Sequence, residues 1–146
     1  MIGRRPAVRL ARAFVVVLAA TLAIGGCSRP PVTTVTIGGQ PWRVYVGSPD
    51  GMRGLDGFGA ADGMLFDMDR EVDPAAVGFG MEDVAYPIDI AWFDGAGALV
   101  SMAAMTPCDA APCPVYHAAG PYRWAVEAPP GAFTDLRPEH LLVVGD

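Results

Sequence analysis

Lysine is absent from this sequence of 146 residues, and histidine occurs only twice, at His117 and His140. The ten arginines face sixteen acidic residues, for a formal charge of −6. Such a surface repels phosphate backbones and gains nothing from counterion release, so nucleic acid is excluded as an expected partner. Repeats and low-complexity tracts are missing, and so are the short signatures of familiar chemistry. There is no Gly-x-Ser-x-Gly elbow, and Gly51, Gly54, Gly57 and Gly59 lack the following helix and lysine of a phosphate cradle. The longest apolar run, residues 13–24, falls short of the roughly 20 residues that a membrane-crossing helix needs.

That run has a different use. Arg4, Arg5, Arg9 and Arg12 precede it and small residues follow it, the three-part layout of a secretory signal. Leu22-Ala23-Ile24-Gly25-Gly26-Cys27 resembles the lipobox of bacterial lipoproteins, with Ile24 in place of the usual leucine. The resemblance implies cleavage before Cys27 and acyl chains, palmitate among them, on that residue. Two or more chains hold a protein at a bilayer where one would release it. Pro6-Ala7-Val8 after the arginine pair lacks the apolar pattern of a twin-arginine signal, so general secretion is the expected route. Losing residues 1–26 removes four arginines and no acid, leaving a formal charge of −10. The expected layout is a signal over 1–26, a proline-bearing tether over 27–34, and a single domain over 35–146. The expected location is extracytoplasmic, with the lipid on Cys27 as the membrane contact.

The mature chain reads as strands. Residues 32–37 and 42–46 are β-branched and aromatic, and Gly38-Gly39 between them suits a hairpin turn. Ser48 is placed to cap one helical turn over 49–53. Residues 63–66 read as a buried strand, Asp67, Asp69, Glu71 and Asp73 as an acidic loop, and 77–81 as a further strand. In 88–93, Ile88, Ile90 and Trp92 share one face while Asp89, Ala91 and Phe93 share the other. Residues 99–105 should return antiparallel after a turn at Asp94-Gly95. Strands at 123–127 and 141–144 follow, with a helical turn near Thr134-Asp135-Leu136. The expected fold is mainly β with minor helices: a small antiparallel sheet system or partial barrel in a single domain.

Arg53-Gly54-Leu55, Gly63-Met64-Leu65-Phe66, Met81, Pro87-Ile88-Asp89-Ile90, Phe93-Asp94, Pro107-Cys108, Cys113-Pro114-Val115-Tyr116, the run Arg123 to Glu127 and Gly145-Asp146 form an ordered set. In order and spacing, from about Val35 onward, the set resembles the bacterial and archaeal domain-of-unknown-function family 192. The resemblance implies a compact β-dominated domain, often exported, with no activity, cofactor or catalytic residue to carry over. The chain departs from the pattern at Glu82-Asp83-Val84, where the family has a Lys-Asn-Thr-like stretch. It departs again at Asp56, where relatives have a second methionine, and at Pro129-Pro130-Gly131, where they have Asn-Ala-Gly.

Cys108 and Cys113 remain once Cys27 carries lipid. In an oxidising compartment a disulfide is the expected state. With His117 the same residues spell Cys-x4-Cys-x3-His, a zinc or copper alternative completed by Met102, Met105 or a carboxylate. Glu82, Asp89 and Glu127 are the acids placed for chemistry. An acid inside a strand is costly without a donor, so Arg123 paired with Asp89 or Glu127 would set sheet register. Alternatively Glu82, Asp89, Arg123 and Glu127 form the polar floor of a pocket, with Trp92, Tyr116 and Trp124 as stacking surfaces for a sugar.

No catalytic constellation and no cofactor is expected. The favoured function is a lipid-anchored, noncatalytic binding or accessory domain for an envelope glycan or protein. A hydrolase using Asp89 and Glu127 and a zinc or copper handler are the rivals. The hydrolase requires the two carboxyls to converge in an open cleft.

Overall fold

The computed structural model describes residues 30–48, 51–53 and 55–145. The signal, the lipobox with Cys27 and residues 28 and 29 of the expected tether lie outside the described residues, while Val32–Thr34, expected to end the tether, already pair in β1 with β2. Nine strands follow in chain order: β1 (Val32–Ile37), β2 (Gln40–Val46), β3 (Gly63–Val72), β4 (Phe79–Gly80), β5 (Ile88–Phe93), β6 (Leu99–Met105), β7 (Val115–Tyr116), β8 (Tyr122–Ala128) and β9 (Leu142–Val144). Seven form one sheet in the order β6-β5-β8-β3-β2-β1-β9, and β4 pairs with β7 in a small ribbon.

The expected hairpins form where turn chemistry dictates them. Gly38 and Gly39, at φ 57° and 79°, close β1 onto β2. The Asp94 carboxylate accepts the N–H groups of Ala96 and Ala98 at 2.9 and 2.8 Å, closing β5 onto β6.

Three expectations are corrected. The sheet is mixed, because β2 and β3 run parallel. Parallel neighbours need a crossover of about a dozen residues or more, and the sixteen residues between them, 47–62, are enough for it. No described residue is helical. Ser48 accepts from the Gly51 N–H at 2.9 Å and Met52 from that of Leu55 at 3.1 Å, so residues 51–53 make turns, while Pro49 and Asp50 lie outside the described residues. Residues 131–135 are turns too. Finally, the acidic stretch does not form a loop. β3 continues through it to Val72, with a bulge between Asp67 and Val72 opposite β8. Asp69 adopts φ 61° there, and its N–H bonds to Asp67 Oδ1 at 2.8 Å. The charges are tolerated because most of that end of the strand is exposed to water.

Alternation along the central strands separates two cores. Met64, Phe66, Ile88, Ile90, Trp92 and Ala125 face one side, covered by the connections and by the small ribbon. Leu65, Ala91, Phe93, Val126 and Ala128 face the other, joined by Val35, Val44, Phe133 and Leu142. Trp42 stacks on Phe133 with ring centroids 5.5 Å apart. The sheet stays open, since its edge strands β6 and β9 do not pair. A hydrogen bond of 2.8 Å from Leu142 N–H to Gly97 O nevertheless brings β9 against the β5–β6 turn.

Candidate functional site: a cavity around Glu127

On the first face, between the sheet and its covering segments, lies a cavity of about 410 Å³. Its floor comes from β3 and β8, with Ile88 at the start of β5. Gly47, Ser48 and Gly51 to Arg53 form one wall and the 77–84 segment the other. The second wall is pinned from three directions. β4 pairs with β7, the Tyr122 hydroxyl donates to Val77 O at 3.2 Å, and His117 Nδ1 lies 2.7 Å from Pro74 O. The lining is mostly apolar: Met52, Phe66, Phe79, Met81, Val84 and Ile88 all contribute. Ser48, Arg53 and Asp67 bring the polar groups of its exposed margin.

Glu127 breaks that apolar pattern. Across the ladders it opposes Met64 on β3 and Ile90 on β5, both wholly buried. This register turns its side chain into the first core, where it is 5% exposed and is the only buried charged residue among those described. Its Oε2 has no hydrogen-bond partner. Burial pushes its carboxyl up to about 7, because removal from water penalises the charged form. Tyr86 carries a second buried oxygen without a partner. Its hydroxyl is held above its ordinary range first by burial and then by the charge of Glu127.

The other sequence-selected residues do not assemble here. Glu82 is exposed and pairs with Arg53 at 3.4 Å, at the cavity margin. Asp89 points to the opposite face and accepts the Gly131 N–H at 2.7 Å. Trp92 is sealed in the first core at 1% exposure. Tyr116 sits on the ribbon, and hydrogen bonds from the Thr106 hydroxyl and N–H (3.2 Å) lower its pKa. Trp124 packs on the second core beneath the Arg123 guanidinium, 4.3 Å above the ring centroid.

The expected pairing of Arg123 with Asp89 or Glu127 is not made. Arg123 bonds Asp67 instead, through Nε at 3.2 Å and the terminal nitrogen at 3.3 Å, and this bond strengthens its hold on its proton. The β3 bulge is the reason. Tyr122 and Ala125, three residues apart, both join the first core, so strict alternation breaks around Arg123. The carboxyls required for hydrolysis also fail to converge, because Asp89 and Glu127 stand on opposite faces of the sheet. Cys108 and Cys113 form a disulfide with Cα atoms 5.6 Å apart, which leaves neither thiolate for an ion. Among the described residues no group of three or more His, Cys, Asp or Glu side chains is arranged to hold a metal.

Met52, Phe79 and Val84 escaped sequence reasoning because they read as ordinary core. A signal was nevertheless present: Arg53, Phe66, Met81, Ile88 and Glu127 come from five separate motif blocks and meet around one cavity. Residues 48–140 match the family model DUF192, described as "Uncharacterized ACR". The chain belongs to the DUF192 family. Two solved structures share the fold. One is a candidate transcription regulator from Sinorhizobium meliloti 1021, 18% identical, with TM-score 0.63 over 80% of this chain and 96% of that one. The other is a protein of unknown function from Novosphingobium aromaticivorans DSM 12444, 20% identical, with TM-score 0.67 over 86% of this chain and 94% of that one. Comparison with curated proteins finds no match. In this DUF192 chain the fold thus brings dispersed motifs together around Glu127, the one buried acid among the described residues.

Proposed function

We propose that this DUF192 chain is a noncatalytic binding domain, exported and held at the outer face of a bacterial membrane by lipid on Cys27, that takes a small, largely apolar ligand in the Glu127 cavity. The observation that carries the reading is Glu127, which lines the floor of a mostly apolar cavity with its Oε2 buried and without a partner. A buried polar atom without a partner costs about 1–3 kcal/mol, and a bound ligand's polar group would offset that cost. The volume lies within the roughly 300–1,000 Å³ of small-molecule sites. A glycan fits less well, since Trp92 is sealed and Trp124 is covered by Arg123. Anchoring rests on the basic-apolar-lipobox order of residues 1–27.

Thermal shift with medium-chain alcohols, amines, carboxylates and disaccharides tests the binding claim. Small amphiphiles should raise Tm by several degrees at about a hundred times Kd, where linkage contributes about 2.7 kcal/mol. Val77→Phe, which fills the wall, should remove the effect. Stabilisation by disaccharides alone, or by nothing in the panel, contradicts the reading. Cells fed a traceable fatty acid should label the wild-type chain and leave Cys27→Ala unlabelled; equal labelling contradicts the anchor.

A further inference from the structure

The cavity is selective in charge as well as in size. Its buried polar group is an acceptor whenever Glu127 is ionised, and the nearby cations lie outside the buried part of the cavity, each beside an acid. Arg53 at the margin pairs with Glu82, and Arg123 pairs with Asp67. Of the other titratable groups near Glu127, Asp67 lines the margin, and the Tyr86 hydroxyl, which feels the Glu127 charge and that of exposed Asp56, keeps its proton. Asp89 lies across the sheet with Gly131. An anionic ligand would therefore meet like charge at the floor. Phe66 and Phe79, edge to face with centroids 5.3 Å apart, both line the space and contribute ring quadrupoles that attract cations.

We propose that the ligand class is a small amphiphilic amine, its ammonium seated on the Glu127 carboxylate and its apolar body against Phe66, Phe79, Met81 and Val84. The inference rests on the binding reading above and adds the charge and orientation of the ligand. An ammonium brings three donors, and an ionised carboxylate accepts without donating, so the head supplies donors to the carboxyl group that lines the floor and whose Oε2 has no partner within the protein. The ion pair forms only when Glu127 is charged. Since its carboxyl titrates at about 7, amine affinity rises with pH across neutrality.

The test uses the full chain and three probes with the same chain length: hexylamine, 1-hexanol and hexanoate. Binding is measured by calorimetry and by cavity methyl resonances at about pH 5.5 and about pH 8.5. Hexylamine should bind best at the higher pH and tighten by up to roughly thirtyfold between the two, following Glu127 ionisation. Glu127→Gln should abolish that pH dependence while 1-hexanol still binds, and its Tm verifies folding. Val77→Phe, which leaves the acid in place, should weaken all three probes. If 1-hexanol or hexanoate matches hexylamine at the higher pH, the amine class is overturned and the binding reading survives. If no probe perturbs the cavity at either pH, both fall.

Discussion

Ile90 and Glu127 stand opposite one another in the β5–β8 ladder, so an acid occupies a position that every neighbouring strand fills with an apolar side chain. The consequence for stability has a definite sign. Glu127 titrates near 7 when folded against 4.5 as its ordinary value. Between those two values the folded chain holds a proton that the unfolded chain has released, so its contribution to stability falls as pH rises. The penalty is absent below the unfolded value and complete above the folded one, at about 3 kcal/mol. Glu127→Gln should therefore stabilise the protein by up to about 3 kcal/mol at pH 8 and change little at pH 4, as read by urea denaturation at both. Equal effects at the two would contradict the burial argument.

Arg123 joins β8 to the bulged part of β3 and also covers Trp124. The pair is about one-third exposed, at 34% and 37%, so solvent screening limits its worth. Arg123→Ala should lower stability modestly, part from Asp67 and part from the ring. A double-mutant cycle with Asp67→Asn separates the two; a coupling of zero would reduce the contact to decoration.

The Cys108–Cys113 bridge closes a short loop beside the first core. Chain-entropy reasoning assigns such a loop about 2 kcal/mol. Unreduced mature protein should show no free thiol at these positions, and the double serine variant should unfold at a correspondingly lower urea concentration. Two reactive thiols in unreduced protein would contradict the bridge.

Gly97 combines φ 83° with close approach to the Leu142 carbonyl. A methyl group there would push β9 away from the β5–β6 turn. Gly97→Ala should cost at least about 2 kcal/mol and accelerate hydrogen exchange at the Leu142 amide. Unchanged exchange would mean that the contact does not hold β9.

The fold was legible wherever a single strand carries its own signal. The alternation of 88–93 and the Gly38-Gly39 turn state the face of Ile90 and the β1–β2 hairpin directly. The parallel β2–β3 pair was hidden, because nothing local distinguishes a crossover from a loop once the crossover lacks a helix. The bulge at Asp69 was hidden by its own charges, which read as loop. The bulge also decides the site: Arg123, expected from the sequence to pair with Asp89 or Glu127, bonds Asp67 beside the bulge instead. Glu127 itself was selected from the sequence, while its apolar neighbours were not, since Met52, Phe79 and Val84 differ from core residues only in bordering empty space.

The titration of Glu127 tests the account most directly. Carboxyl carbon resonances of the isotopically labelled protein, followed across pH with and without hexylamine, should place its midpoint near 7 in the free protein and lower it when amine is bound. A midpoint in the ordinary carboxylate range, unmoved by amine, would show a solvated acid with no ligand site around it.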